Sequence, residues 1–161
     1  MIIDAHHHLW RAGQGYRWLD DEALAPIRRD FTPADLQACL EDAGVDHSVL
    51  VEGGRCDTGE AALLLGYAAS TPQIAGVVAW ADPAALTLPT GDGLVGIRSQ
   101  VQAESTGYLD RAGVRAGLRT IGAAGLAFDL VVRADQLPAA ARAARDLPDV
   151  RFVLDHLGKP S

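Results

Sequence analysis

The chain has 161 residues, 48% of them hydrophobic and 22% charged, with a formal net charge of −7. That is long enough for one domain with a hydrophobic core, and the balance excludes a disordered chain. The acidic surplus argues against nucleic acid or an anionic membrane as partner, and no apolar run approaches the ~18 residues a membrane span needs.

Short apolar runs alternate with longer periodic segments along the whole chain. The first strand is expected over residues 2–8, inside "IIDAHHHLW". A helix follows in "FTPADLQACLEDAGV" (31–45), with Thr32 as N-cap, Pro33 at the first helical position, Asp35 in the first turn and Gly44 as the stop. Leu36, Cys39 and Leu40 mark its apolar face. A second strand is expected over 47–52, a helix over 58–71 with Thr58 as cap, and a third strand over 74–82. The link at 83–93 has room for a turn or two of helix at most. A fourth strand over 94–102, a glycine-bearing helix over 112–125, a fifth strand over 126–132, a helix over 134–147 and a sixth strand over 150–156 complete the chain. Strands separated by helical crossovers imply a parallel sheet, either open and doubly wound or part of a (β/α)8 barrel. One domain over 1–161 is expected. Cys39 and Cys56 form no C-x-x-C pair and Met1 leads directly into a strand, so reduced thiols in a cytoplasmic protein are expected.

Strand side chains alternate between faces. Asp4, His6 and His8 are therefore expected on one face, and Ile3, His7 and Leu9 on the other. An H-x-H pair at a strand end can fill two positions on one metal ion, such as zinc, which makes His6 and His8 the candidates and His7 the bystander. A solvated strand end is the competing reading. In "RFVLDH" the same alternation aligns Phe152, Leu154 and His156, which puts His156 at the C-terminal end of the sixth strand, where ligands gather in parallel α/β folds. Asp155, of opposite parity, reads as a supporting residue. Arg98, Gln100 and Gln102 are expected on one face of the fourth strand, either to bind carboxylate or hydroxyl groups or to face solvent. Trp80 could floor a pocket or pack in the core, and Glu52 could be a ligand or simply the first polar residue past its strand. Asp129, within an apolar strand, needs a partner.

"DAHHHLW" resembles the D-A-H-x-H-x-W opening of the amidohydrolase-related family, in the branch of sugar lactonases and 2-pyrone-4,6-dicarboxylate lactonase. "GIRSQVQ" (96–102), "GLAFDLVVR" (125–133), "LPAA" (137–140) and "FVLDHLGKP" (152–160) are similar to later signatures of that branch, in the same order. The resemblance implies a TIM-barrel-type (β/α) fold and hydrolysis of a small-molecule lactone by attack of an activated water on the carbonyl. It implies His6, His8 and His156 as metal ligands, with His156 also acting in catalysis, and Arg98 as a substrate contact, to which the reading of the residues adds Gln100 and Trp80. Some members of the branch work with a divalent ion, often zinc, and others need none.

The resemblance also sets an expectation about extent. Six of eight strands are accounted for, and the aspartate that takes the proton in the family sits at the end of strand 8. An incomplete barrel is expected, with catalysis impaired and with open sheet edges that a second copy could pair. The alternative is an inactive truncated barrel acting as an interaction protein.

Overall fold

The computed structural model describes residues 1–160. It contains six parallel strands in the order β1-β2-β3-β4-β5-β6 with helical connections, a TIM-barrel-type α/β fold with six of the eight strands. The residues fall into two compact units. One comprises Met1–Ala79 with Gly91–Leu94, and the other Trp80–Thr90 with the residues from Val95 on.

In the first unit, β1 (Ile3–His7) pairs with β2 (His47–Val51), which pairs with β3 (Ile74–Trp80). Between them lie α1 (Pro33–Ala43) and α2 (Thr58–Ser70). The α1 cap forms as the sequence predicts. Thr32 N–H and Thr32 Oγ1–H both donate to Asp35 Oδ2, at 2.8 and 2.7 Å, and these bonds hold the Asp35 carboxyl below its ordinary range. Gly44 ends the helix at φ 65°, a conformation that costs glycine nothing. Leu36 and Leu40 are buried against Leu9, Leu50 and Leu64, each such side chain contributing roughly 1.5–3 kcal/mol of burial. Cys39, though exposed, lines the same cavity as Leu36 and Leu40.

The cap of α2 differs from expectation. Asp57, not Thr58, is the N-cap, because its carboxylate reaches both Gly59 N–H (2.8 Å) and Glu60 N–H (3.1 Å). Arg55 grips the same carboxylate and holds it below its ordinary range.

The β1 ladder is irregular. Asp4 aligns with Ser48 and His7 with Leu50, so three steps on β1 oppose two on β2. The amide of His6 is satisfied by Asp4 Oδ1 at 3.1 Å. Asp4 borders the same cavity as His7 and His8.

In the second unit, β4 (Leu94–Ser99), β5 (Ala127–Leu130) and β6 (Arg151–Leu154) pair in parallel, with Arg98 opposite Asp129 and Asp129 opposite Val153. The helices are α3 (Ala112–Ala123) and α4 (Leu137–Asp146). The short link after β3 holds one 3-10 turn, Pro83–Ala85, and α3 lies directly on it. A Cβ at Gly117 would stand 2.0 Å from the Pro83 carbonyl oxygen, so this glycine in α3 permits close packing.

Several strands stop sooner than expected. β4 ends at Ser99, and the chain turns through Gln100 (φ −76°, ψ 58°) into a 3-10 turn at Val101–Ala103. Gln100 and Gln102 therefore do not continue the Arg98 face. β6 ends at Leu154, and His156 (φ 50°, ψ 33°) lies in a left-handed turn, so strand alternation does not orient it. β3 likewise ends at Trp80, before Asp82.

Candidate active site

Within the first unit, β1 delivers the first functional pair. His6 Nε2 and His8 Nε2 are 3.2 Å apart, with the rings edge-to-face. His8 Nδ1 lies 3.0 Å from the carbonyl oxygen of Val51 at the end of β2. A carbonyl can only accept, so this contact assigns the proton to Nδ1 and leaves Nε2 a lone pair. Two imidazole nitrogens on one tetrahedral ion, at metal–nitrogen lengths of about 2.0–2.1 Å, stand about 3.3–3.4 Å apart. The observed pair fits that requirement, and the donor chemistry suits zinc.

His7 borders a cavity of about 510 Å³ that His8, Leu9, Leu36 and Leu40 also line. Burial pushes its imidazole below the ordinary histidine value, against the opposing charge of Asp4.

The loop after β2 carries a second cluster. Glu52 is fully buried and its Oε2 accepts from Gly54 N–H at 2.6 Å. Glu60, in the first turn of α2, is also fully buried and its Oε1 accepts from Gly53 N–H at 2.7 Å. Trp18 Nε1–H closes on the Gly53 carbonyl at 2.7 Å. Burial pushes the Glu60 carboxyl up, and it pushes the Tyr16 hydroxyl beside it up as well. Glu60, Tyr16 and Trp18 are absent from the sequence-based candidates. The only local signal is the acidic residue three positions after Asp57, which by itself reads as a helix-start residue.

Within the second unit, Arg98 and Asp155 are both buried and form an ion pair, Nη1 to Oδ2 at 3.0 Å. Asp155 thus takes the supporting place expected of it. Asp129, also buried, faces Arg98 across the ladder. Gln100 lies past the strand, its Oε1 accepting from Gln102 Nε2–H at 2.9 Å. Trp80, the last residue of β3, is half-buried. His156 is exposed, next to Asp155. Tyr108 donates its hydroxyl to Asp82 Oδ1 at 3.1 Å, and burial, with the Asp82 charge, pushes that hydroxyl up to about 12.

Comparison with known proteins adds a family context. A family model described as "Amidohydrolase" matches residues 3–161. The L-fucono-1,5-lactonase of Burkholderia ambifaria is 31% identical over 166 residues, covering 98% of this chain and 57% of that protein. An amidohydrolase from Burkholderia multivorans, crystallised with bound zinc, superposes with a TM-score of 0.91 at 30% identity, over 99% of this chain and 59% of its own. Amidohydrolase 2 from Bifidobacterium longum subsp. infantis follows at 0.84 and 30%, over 99% of this chain and 63% of its own. The chain thus spans about three-fifths of the length of these relatives.

Proposed function

This chain belongs to the amidohydrolase family, and from that premise we propose that it carries metal- and substrate-binding residues of a hydrolase acting on the cyclic ester of a sugar acid. The observation that carries the reading is the convergence of His6 Nε2 and His8 Nε2 to 3.2 Å. The fucono-lactonase relative supports the substrate class, and the zinc-bound neighbour supports a divalent metal.

His6 and His8 are the proposed metal ligands, with His156 as the third. That ion, when bound, would polarise a carbonyl oxygen and acidify a water. The protein supplies the rest. The Val51 carbonyl fixes the tautomer of His8. Arg98, oriented by its ion pair with Asp155, is the proposed partner for substrate oxygen, and Gln100 and Trp80 are proposed to line the sugar. In the reaction, water oxygen adds to the carbonyl carbon, the acyl bond to the ring oxygen breaks, and a proton passes to that oxygen as it leaves as a hydroxyl. His156, an exposed imidazole, is the proposed polarising group on this chain.

The test is zinc titration by calorimetry of the chain and its His6→Ala, His8→Ala and His156→Ala variants, followed by a pH-stat assay with aldono-1,5-lactones. One zinc per chain, lost or weakened at least tenfold in each variant, is expected. Wild-type affinity in the His8→Ala variant refutes the site.

A second reading rests on exposed apolar residues. Ile2, just before β1, and Ile3, its first residue, are 59% and 46% exposed, and Val153 and Leu154 on β6 are each 47% exposed. These suit self-association through the sheet edges.

A further inference from the structure

His8 owes its tautomer to a carbonyl at the end of β2, and that strand end is held from two directions. On the β3 side, Glu52 N–H donates to the Val78 carbonyl at 2.8 Å. Beyond the strand, Gly53 N–H donates to Glu60 Oε1 at 2.7 Å, and the Gly53 carbonyl accepts from Trp18 at 2.7 Å. Gly53 has no room for a side chain, since a Cβ there would lie 2.9 Å from Tyr16 Cε1. The junction is therefore packed as tightly as a core.

Glu60 has an unused half. Its Oε2 and the Tyr16 hydroxyl are both buried, and neither has a hydrogen-bond partner among the described residues. A carboxylate here could accept from the Tyr16 O–H after a small side-chain rotation, but its charge would be fully buried and opposed by Glu52. A protonated Oε2 carries a hydrogen that the Tyr16 oxygen can accept after a small side-chain rotation, which satisfies both groups. The titratable groups facing Glu60 are Tyr16, Glu52 and Arg55.

We propose that Glu60 is a positioning residue for the His6–His8 pair: as a neutral acid it clamps the Gly53 amide and Tyr16, and so holds the Val51 carbonyl against His8 Nδ1. The proposal rests on the metal-binding reading for its purpose, but the clamp can be measured without metal.

The experiment uses the chain labelled with 15N-histidine. Two-bond proton–nitrogen spectra of the metal-free chain near neutral pH report the His8 tautomer, and zinc titration reports affinity. Glu60→Gln keeps an acceptor for Gly53 and a donor for Tyr16 with no charge, so it keeps the Nδ1–H tautomer and binds zinc within about twofold of the wild type. Glu60→Ala removes the clamp, gives a tautomer mixture and weakens zinc binding by about 10–100-fold. If Glu60→Ala does not fold, Glu60→Leu, which keeps most of the volume, is read in its place. A wild-type tautomer in Glu60→Ala or Glu60→Leu overturns the clamp, and a Glu60→Gln variant that behaves like them overturns the neutral acid. If the wild type binds no zinc, the metal reading fails by itself and the tautomer alone decides the proposal.

Discussion

Removing one member of the buried Arg98–Asp155 pair deprives the other of this countercharge, and the structure ranks the two removals. Asp155 is 3% and Arg98 4% exposed, so water cannot compensate either charge. Asp155→Asn keeps shape and hydrogen-bonding atoms but takes away the countercharge, while Asp129 still faces Arg98 across the ladder. Arg98→Met removes the guanidinium that pairs with Asp155 and stands opposite Asp129 in the ladder. Breaking one buried pair costs about 3–5 kcal/mol. Arg98→Met is expected at or above the top of that range, and Asp155→Asn at or below its bottom. At roughly 2–4 °C per kcal/mol for a chain of this size, the window corresponds to roughly 6–20 °C of melting temperature. Scanning calorimetry of both variants, with Asp155→Leu in the Arg98→Met background, measures it. The double variant recovers part of the Arg98→Met loss, because it removes the buried carboxylate that lost its guanidinium. Asp155→Asn melting below Arg98→Met, or a double variant no better than Arg98→Met, would refute this account.

Two further outcomes follow from other parts of the fold. The folded-state His7 is depressed below the ordinary value of 6.5, so the unfolded chain takes up a proton first as pH falls. Stability therefore declines below about pH 6.5, by at most about 1.4 kcal/mol per pH unit for this one group, and is restored above it. His7→Leu should flatten that acid limb in melting scans from pH 8 to about pH 5; an unchanged slope rules out His7 as its source. For the sheet edges, light scattering should show concentration-dependent dimers that Val153→Lys with Leu154→Lys dissolves, whereas a monomer at every concentration removes the self-association reading.

What the sequence makes legible is what is decided locally. The α1 cap is written in Thr32, Pro33, Asp35 and Gly44, all within reach of the same helix ends, and it forms as read. The alternation of βα elements and the His6–His8 pairing are equally local. Strand ends are not, because backbone conformation and packing beyond the strand end them. Gln100 leaves β4 where the backbone turns, and His156 leaves β6 through a left-handed turn. A period-of-two count carried past either point assigns faces that no longer exist. Asp57 displaced Thr58 as cap because a carboxylate reaches two amides at once. Glu60 was hidden for a related reason: its partner amide, Gly53, sits seven residues earlier across a loop, and no helix-start rule points there.

The extra residue in β1 has a consequence for how the histidine run is sorted. A ladder counts positions, and between Asp4 and His7 it counts one fewer than the chain provides. The surplus resets the phase between Asp4 and His7, a stretch that includes His6, so what comes before Asp4 cannot dictate which way the later histidines look. Asp4 is free to sit beside His7, while His6 and His8 keep to each other. The face shared by the pair is thus set by the two-residue interval between them, and a strand start of different length would leave it intact.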